Sequence, residues 1–308
     1  MELNRFDLNL LVALDALLRE KNVTRAAARV YISQPSMSSA LARLRDYFQD
    51  PLLVRMGRDF ELTPRGLALV QPVREWLCGI ETTLRAQPTF DPATLRRSFV
   101  AMVPDFVSPW LTPRLLRRIT SKAPGVRIQF EHWSQNGAAR LALCELDFFI
   151  TLCNSRTQRR ATYAKALRSH ELQRLHWVCA VATDHPTVHD DLTREQYLSL
   201  PHVYVRTPGE LLSVDDAVEK ELGLALDIRA TTESVLEVPF MLAGTSLIAI
   251  LPETLAALLQ PSVSIKIFAL PAGLELRGRV NLLWHERSEA DPGHAWMRGL
   301  MLEAASGH

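Results

Sequence analysis

Val23-Thr-Arg-Ala-Ala-Ala-Arg-Val-Tyr-Ile-Ser-Gln-Pro-Ser-Met-Ser-Ser-Ala-Leu-Ala-Arg-Leu-Arg-Asp-Tyr-Phe-Gln-Asp-Pro-Leu-Leu-Val54 writes two short helices parted by a tight turn. Thr24 reads as an N-cap, with the strong helix former Arg25-Ala26-Ala27-Ala28-Arg29 behind it. Val30 and Ile32 are apolar and are predicted to pack inward around the turn. Ser33 is the next N-cap, and Pro35 falls in the first turn, where a missing N–H costs nothing. Met37, Leu41 and Leu44 recur at helical spacing and make the buried face. Gln34, Ser36, Ser38, Ser39 and Arg43 are left on other faces. A fold has little use for such polar side chains at an exposed helix start. Double-stranded DNA has one: Gln pairs bidentately with adenine and Ser with several base edges. Two helices crossing in this way form a helix-turn-helix, whose second helix enters the major groove. On the helix pattern alone, the competing reading is a helical hairpin with a serine-rich cap.

The flanking residues favour the first reading. Leu52-Leu53-Val54-Arg55 and Phe60-Glu61-Leu62-Thr63 are strand-like runs around Met56-Gly57-Arg58-Asp59, a hairpin with a basic tip. Such a wing lets Arg55 and Arg58 neutralise phosphates beside the groove. Thr63-Pro64-Arg65 opens another helix, and Thr63 and Arg65 join Thr24 and Arg25 as candidate DNA contacts. From Lys21 to Arg65 there are eight Lys or Arg against four Asp or Glu, a local basic excess in a chain of net charge +1.

Leu67, Val70, Val73, Leu77, Ile80 and Leu84 then recur at three- and four-residue spacing. The stripe suits an antiparallel helix pair across a two-fold axis, which a two-fold DNA reader needs. The competing reading packs it on its own domain. Pro72 predicts a kink or early break. Gln87-Pro88-Thr89-Phe90-Asp91-Pro92 reads as a hinge.

Beyond residue 95, apolar strand runs alternate with helical ones. Strands are expected at Ser98–Val103, Val126–Glu131, Asp147–Leu152, Trp177–Thr183, Val203–Arg206, Leu226–Thr231, Leu247–Leu251, Ile265–Leu270 and Val280–Trp284. Helices are expected at Trp110–Thr120, Glu210–Leu222 and Pro252–Leu259. This alternation predicts parallel sheets covered by helices, with ligands at the carboxyl ends of strands. Those ends put Val103, Pro104, Asp105 and Phe106, then Thr151, then Arg206 and Thr207, then Thr232 and Ser234, around one cleft. Small hydroxyls and exposed N–H groups suit a carboxylate, phenolate or nitro group. Phe106, Trp110 and Phe240 could wall an aromatic ring.

At 308 residues the chain is long enough for two domains, since single cores stop growing at roughly 250–300 residues. The N-terminus has no basic lead and no cleavage site, and no apolar run reaches the ~18 residues of a membrane helix. Cys78, Cys144, Cys153 and Cys179 are dispersed without a C-x-x-C, so a reducing cytoplasm and no structural zinc are expected, with Cys144 and Cys153 in the core. No phosphate-binding loop, dinucleotide fingerprint, H-E-x-x-H or G-x-S-x-G is present, so no cofactor and no catalytic residue are expected. Of nine histidines, only His285 and His294, near Trp284 and Trp296, form a grouping, and hydrogen-bonded core histidines are the default reading of it.

Asp7-Leu8-Asn9-Leu10-Leu11, Thr24-Arg25-Ala26-Ala27, Ser33-Gln34-Pro35-Ser36-Met37-Ser38, Arg43-Leu44 and Leu62-Thr63-Pro64-Arg65-Gly66 together resemble the N-terminal signature of LysR-type transcriptional regulators. Val280-Asn281-Leu282-Leu283-Trp284-His285 and Asp291-Pro292-Gly293-His294-Ala295-Trp296-Met297 are similar to the subgroup of nodulation regulators and regulators of aromatic, nitroaromatic and chloroaromatic degradation. The resemblance implies a winged helix-turn-helix over 1–62, a dimerising linker helix over 63–90 and an effector domain over 91–308. That domain would have two Rossmann-like lobes, as in periplasmic binding proteins: about 91–163 with 270–308, and about 164–269, crossing near Thr162–Leu167 and returning near Leu270. It also implies a homodimer or homotetramer on a promoter operator, RNA polymerase as partner, and a small aromatic effector such as a phenol or aromatic acid that activates a catabolic operon. The rival is a cytoplasmic small-molecule-binding or catalytic α/β protein with no role in gene regulation.

Overall fold

The computed structural model describes residues 6–57, 59–85, 90–153, 166–206, 218, 225–274, 276 and 278–306. The chain divides into two compact units, Met1–Gln87 and Pro88–His308.

In the first unit three helices, α1 (Asn9–Glu20), α2 (Val23–Arg29) and α3 (Gln34–Phe48), close around Leu10, Leu14, Leu17, Ala26, Ala27, Met37, Leu41 and Leu44. The cap of α2 differs from expectation. Asn22 is the N-cap, its side chain accepting from the Arg25 N–H at 3.0 Å, and Thr24 lies inside the helix. The turn also differs: Tyr31 takes a left-handed conformation (φ 57°), so Val30 packs partly on the core while Ile32 is exposed. The wing pairs β1 (Leu53–Met56) with β2 (Asp59–Leu62), antiparallel, Leu53 opposite Leu62. Arg45 ties it to α3, donating from Nε to Pro51 O (2.9 Å) and from Nη2 to Leu53 O (3.2 Å).

The helix α4 (Pro64–Arg85) runs unbroken through Pro72, against the expected break. Gly66 allows its start to approach the wing: a Cβ there would stand 2.7 Å from Leu52 O. The apolar stripe divides. Val73 is buried in the unit's own core, with Leu69, Val70 and Leu77 partly so, while Leu67, Trp76, Ile80 and Leu84 are exposed. Of the predicted hinge, residues 87–89 lie outside the described residues.

The second unit holds two five-stranded sheets. The first, in order β4-β3-β5-β12-β6, comprises β3 (Ser98–Val103), β4 (Arg127–His132), β5 (Phe148–Cys153), β6 (Leu167–Leu175) and β12 (Gly278–His285). The second, in order β11-β7-β10-β8-β9, comprises β7 (Trp177–Ala182), β8 (His202–Val205), β9 (Ile228–Thr232), β10 (Ile248–Pro252) and β11 (Ile265–Ala269). Both sheets are mixed rather than parallel. β12 runs antiparallel to β5 and β6, and β7 antiparallel to β10 and β11. All nine expected strands are present, within two residues at each end. β6 was not expected, and it moves the passage between sheets from Thr162–Leu167 to His176. On the return the chain leaves β11 at Ala269 and re-enters the first sheet at Gly278. The expected helix Glu210–Leu222 lies, apart from Val218, outside the described residues.

On the first sheet, α5 (Ser108–Lys122) and α10 (Pro292–Ala305) cover the face lined by Phe99, Phe148, Ile150, Val280 and Leu282. The opposite face packs Met102 and Phe149 under α6 (Gly137–Ala142). In the second lobe α8 (Val238–Leu242) and α9 (Glu253–Leu259) cover one face, and α7 (Arg194–Ser199) the other. Cys179 is buried in that core, whereas Cys144 is only half-buried, at the end of α6.

Arg97 ties the start of β3 to α10. It bonds Asp291 at 2.5 Å and Asp147 at 3.2 Å, and lies 4.4 Å from the centre of the Phe99 ring. Asp291 caps α10 through the His294 N–H at 3.0 Å, and the Arg97 guanidinium and that bond hold its carboxyl below the usual range against burial. His294 is fully buried on Phe148, 3.2 Å from Asp147 O, and burial pushes its pKa down to about 4.

Candidate nucleic-acid interface and inter-lobe cleft

The N-terminal edge of α3 is polar and exposed. Ser33 caps it, accepting from the Ser36 N–H at 3.2 Å. Gln34, Pro35, Ser36, Ser38 and Ser39 are exposed above the buried Met37, Leu41 and Leu44. The bonds among them span one turn: Ser33 Oγ to Ser36 Oγ at 2.8 Å, and Gln34 Nε2 donating to Ser38 Oγ at 3.3 Å. Thr24 and Arg25 are exposed at the start of α2, with Arg25 donating to Glu20 O at 2.8 Å. Arg55 is exposed on the wing, its Nε donating to Gly57 O at 3.2 Å, and Arg58 lies outside the described residues. Arg65 is exposed, its guanidinium carbon 5.9 Å from the Phe48 ring centre.

Thr63 is committed elsewhere, and Arg43 is exposed with a partner of its own. Thr63 is buried: its hydroxyl donates to Asp50 at 2.6 Å and accepts from the Gly66 N–H, so it caps α4 instead of facing DNA. Arg43 pairs with Asp7 at 2.8 Å, and this hydrogen bond holds the Asp7 carboxyl below its ordinary range. Sequence reasoning missed Asn22 and Arg45, which hold α2 and the wing in place. It also missed Tyr31, which is 96% exposed beside the reading helix.

In the second unit the two lobes meet through α5 and α9, and Gln173 Nε2 donates to Thr254 Oγ1 at 2.8 Å. Their sharpest contact is polar. Asp105, just beyond β3, accepts from the Ser234 hydroxyl at 2.7 Å and from the Leu236 N–H at 3.0 Å, with its other oxygen on the Phe106 N–H. Thr232 accepts from the Ser234 N–H and donates to Glu237, and the Arg206 N–H donates to Thr232 O. Asp105, Thr232 and Ser234 are therefore one cluster, which Arg206 joins through its backbone N–H. Val103 and Pro104 are buried beneath it.

The expected aromatic wall does not form. Phe106 and Trp110 face inward into the first-lobe core, because they occupy the apolar stripe on which α5 packs against the sheet. Phe240 is 59% exposed on α8. Thr207 lies outside the described residues. Thr151 is buried, and its Oγ1 accepts from Trp133 Nε1 at 3.1 Å.

His285 and His294 have structural roles: His285 Nδ1 accepts from the Arg287 N–H, and His294 is the core residue described above. Among the described residues, no group of three or more His, Cys, Asp or Glu is placed to hold a metal ion, and no helix is long and apolar enough to cross a membrane.

Comparison with known proteins agrees with both halves. Residues 8–67 match the model of the bacterial regulatory helix-turn-helix proteins of the lysR family, and residues 94–306 match the LysR substrate binding domain. Nodulation protein D of Bradyrhizobium sp. is 34% identical over 309 residues, covering 99% of this chain and 88% of its own. Nodulation protein D 2 of Bradyrhizobium diazoefficiens is 32% identical over 310 residues, covering 99% and 91%. A probable transcriptional regulator from Pseudomonas aeruginosa superposes with a TM-score of 0.66 at 28% identity, over 97% of each chain. The fold is also that of full-length CbnR in complex with its target DNA (TM-score 0.62, 17% identity, 98% and 99% covered).

Proposed function

The chain belongs to the lysR family of bacterial helix-turn-helix regulators, and we propose that it activates transcription in response to a small aromatic molecule bound between the lobes of its second unit. It is a DNA-binding transcriptional regulator and not an enzyme. The observation that carries the proposal is the edge of α3, where Gln34, Ser36, Ser38 and Ser39 stand exposed on a helix whose other face is locked into a core. An inducible catabolic operon draws no support from relatives named for nodulation, so the proposal stops at an aromatic-responsive activator.

In this reading residues 1–62 bind a promoter operator in the cytoplasm, 63–90 join two copies, and 91–308 sense the effector. The exposed ridge of Trp76, Ile80 and Leu84 on α4 supports a homodimer, and two dimers would make a tetramer that presents bent DNA to RNA polymerase. Footprinting across the promoter of the chain's own gene and its neighbour tests the proposal. A protected site with dyad symmetry, whose extent shifts when phenols or aromatic acids are added, is expected. Binding without sequence preference at every salt concentration would overturn it.

A further inference from the structure

The first sheet ends toward its contact with the second lobe, at Asp105, in one row of residues. β3 pairs Val103 with His132 of β4 and Met102 with Phe149 of β5, and β5 pairs Thr151 with Asn281 of β12. Continuing each parallel register past β3 brings Trp133, Pro104, Thr151 and Asn281 level across four neighbouring strands. The Trp133–Thr151 bond therefore spans the end of β3, since β4 and β5 flank it roughly 9–10 Å apart. The indole also stacks on Phe149, with ring centres 6.5 Å apart and planes 26° apart.

Thr151 and Asn281 are both more than nine-tenths buried, at 9% and 8% exposure. The Thr151 oxygen accepts from Trp133. Asn281 Oδ1 is buried without a hydrogen-bond partner among the described residues. An unsatisfied buried carbonyl is costly, and folded proteins keep few. This one lies directly across the strand pair from Thr151 and level with Pro104, one residue before the Asp105 that meets the second lobe.

We propose that Asn281 reads the effector: its side-chain carbonyl accepts a hydrogen bond from a hydroxyl on an aromatic ring lying against Trp133. This rests on the reading of the cleft as the effector site and narrows the chemistry to a phenol. A carboxylate brings only acceptors to an acceptor, and it meets the negative charge of Asp105 one residue beyond the row. A ring without a hydroxyl leaves Asn281 unpaired.

Thermal melts of the full-length protein with phenol, benzoate or toluene at equal concentration test this. Phenol is expected to raise the melting temperature, with benzoate and toluene without effect. Asn281→Leu is expected to melt no lower than the parent, because it removes an unpaired buried group, and to weaken phenol binding by about tenfold or more. A melting temperature several degrees lower for Asn281→Leu would show the amide to be satisfied within the fold and overturn the proposal. So would stabilisation by benzoate or toluene equal to that by phenol, or an undiminished phenol shift in the variant. If Asn281→Leu does not fold, Asn281→Ser is compared in the same way. A parent that footprints its promoter but responds to none of the three probes overturns the assignment to Asn281 and leaves the regulator standing. A parent with no footprint overturns the regulator instead.

Discussion

The two working regions of this protein hold their polar side chains in opposite ways. On α3 the bonds are local: Ser33 to Ser36 and Gln34 to Ser38 close within a turn, and the groups stay exposed. In the cleft they are long-range: Asp105 is bonded to Ser234 and Leu236, from the other lobe. A DNA groove has a fixed shape, so a reading surface can be finished before it arrives. A ligand that parts Asp105 from Ser234 and Leu236 exchanges bonds already made, and that exchange is what a sensor can convert into movement. Substitutions on the exposed edge of α3 should therefore change binding alone, while those in the second unit should change its stability or shape.

The largest break is expected at Arg97. Arg97→Ala removes the guanidinium that Asp291 and Asp147 share in a largely buried site, which costs about 3–5 kcal/mol. Calorimetry should show the second unit melting early while the helical unit keeps its transition. Acid separates the units next. His294 is neutral when folded, with a pKa of about 4 against 6.5 unfolded. Its contribution is complete above pH 6.5 and is lost as pH falls from there through 4, about 3 kcal/mol in all. The lowered Asp291 carboxyl adds loss in the same direction at still lower pH. No histidine occurs among residues 1–87, so the first unit should not share the slope between pH 6.5 and 4. His294→Gln should flatten most of it in denaturant titrations.

On the DNA side, Gln34→Ala should weaken specific binding by about 1–3 kcal/mol and non-specific binding hardly at all, as read by competition gel shifts. Its melting curve should match the parent's. The smallest expected effect is in the cleft. Ser234→Ala removes one of two inter-lobe bonds to Asp105, about 1 kcal/mol. Scattering profiles should then broaden toward a more open second unit with operator affinity unchanged. If Ser234→Ala altered operator affinity as much as Gln34→Ala, the distinction between the two regions would fail.

The helix-turn-helix was legible because its signals are local: a capping serine, a proline in the first turn and Met37, Leu41 and Leu44 on one face. Even there, Asn22 outcompeted Thr24 as a cap, a choice between two good capping residues that only the backbone resolves. The nine apolar strands could be read, but their directions could not, since pairing depends on partners far along the chain. Leu167–Leu175 escaped because Arg168, His170, Glu171 and Arg174 give it the look of a loop. It is an edge strand, where charge guards against pairing with another chain. The cleft was half-legible. Strand ends located Asp105, Thr232 and Ser234, whereas Phe106 and Trp110 had the same apolar character whether they lined a pocket or a core. Asn281 was passed over because nothing local marks an unpaired carbonyl.

The position of β12 has a consequence for synthesis. It lies between β5 and β6, yet it leaves the ribosome after every strand of the second sheet. The second lobe can close while the first still has a gap at its centre. During that interval β5, rich in Phe and Ile, offers a bare edge to any passing strand, and β6 is protected by its charges. A nascent chain stalled before Gly278 should therefore be the form that chaperones hold.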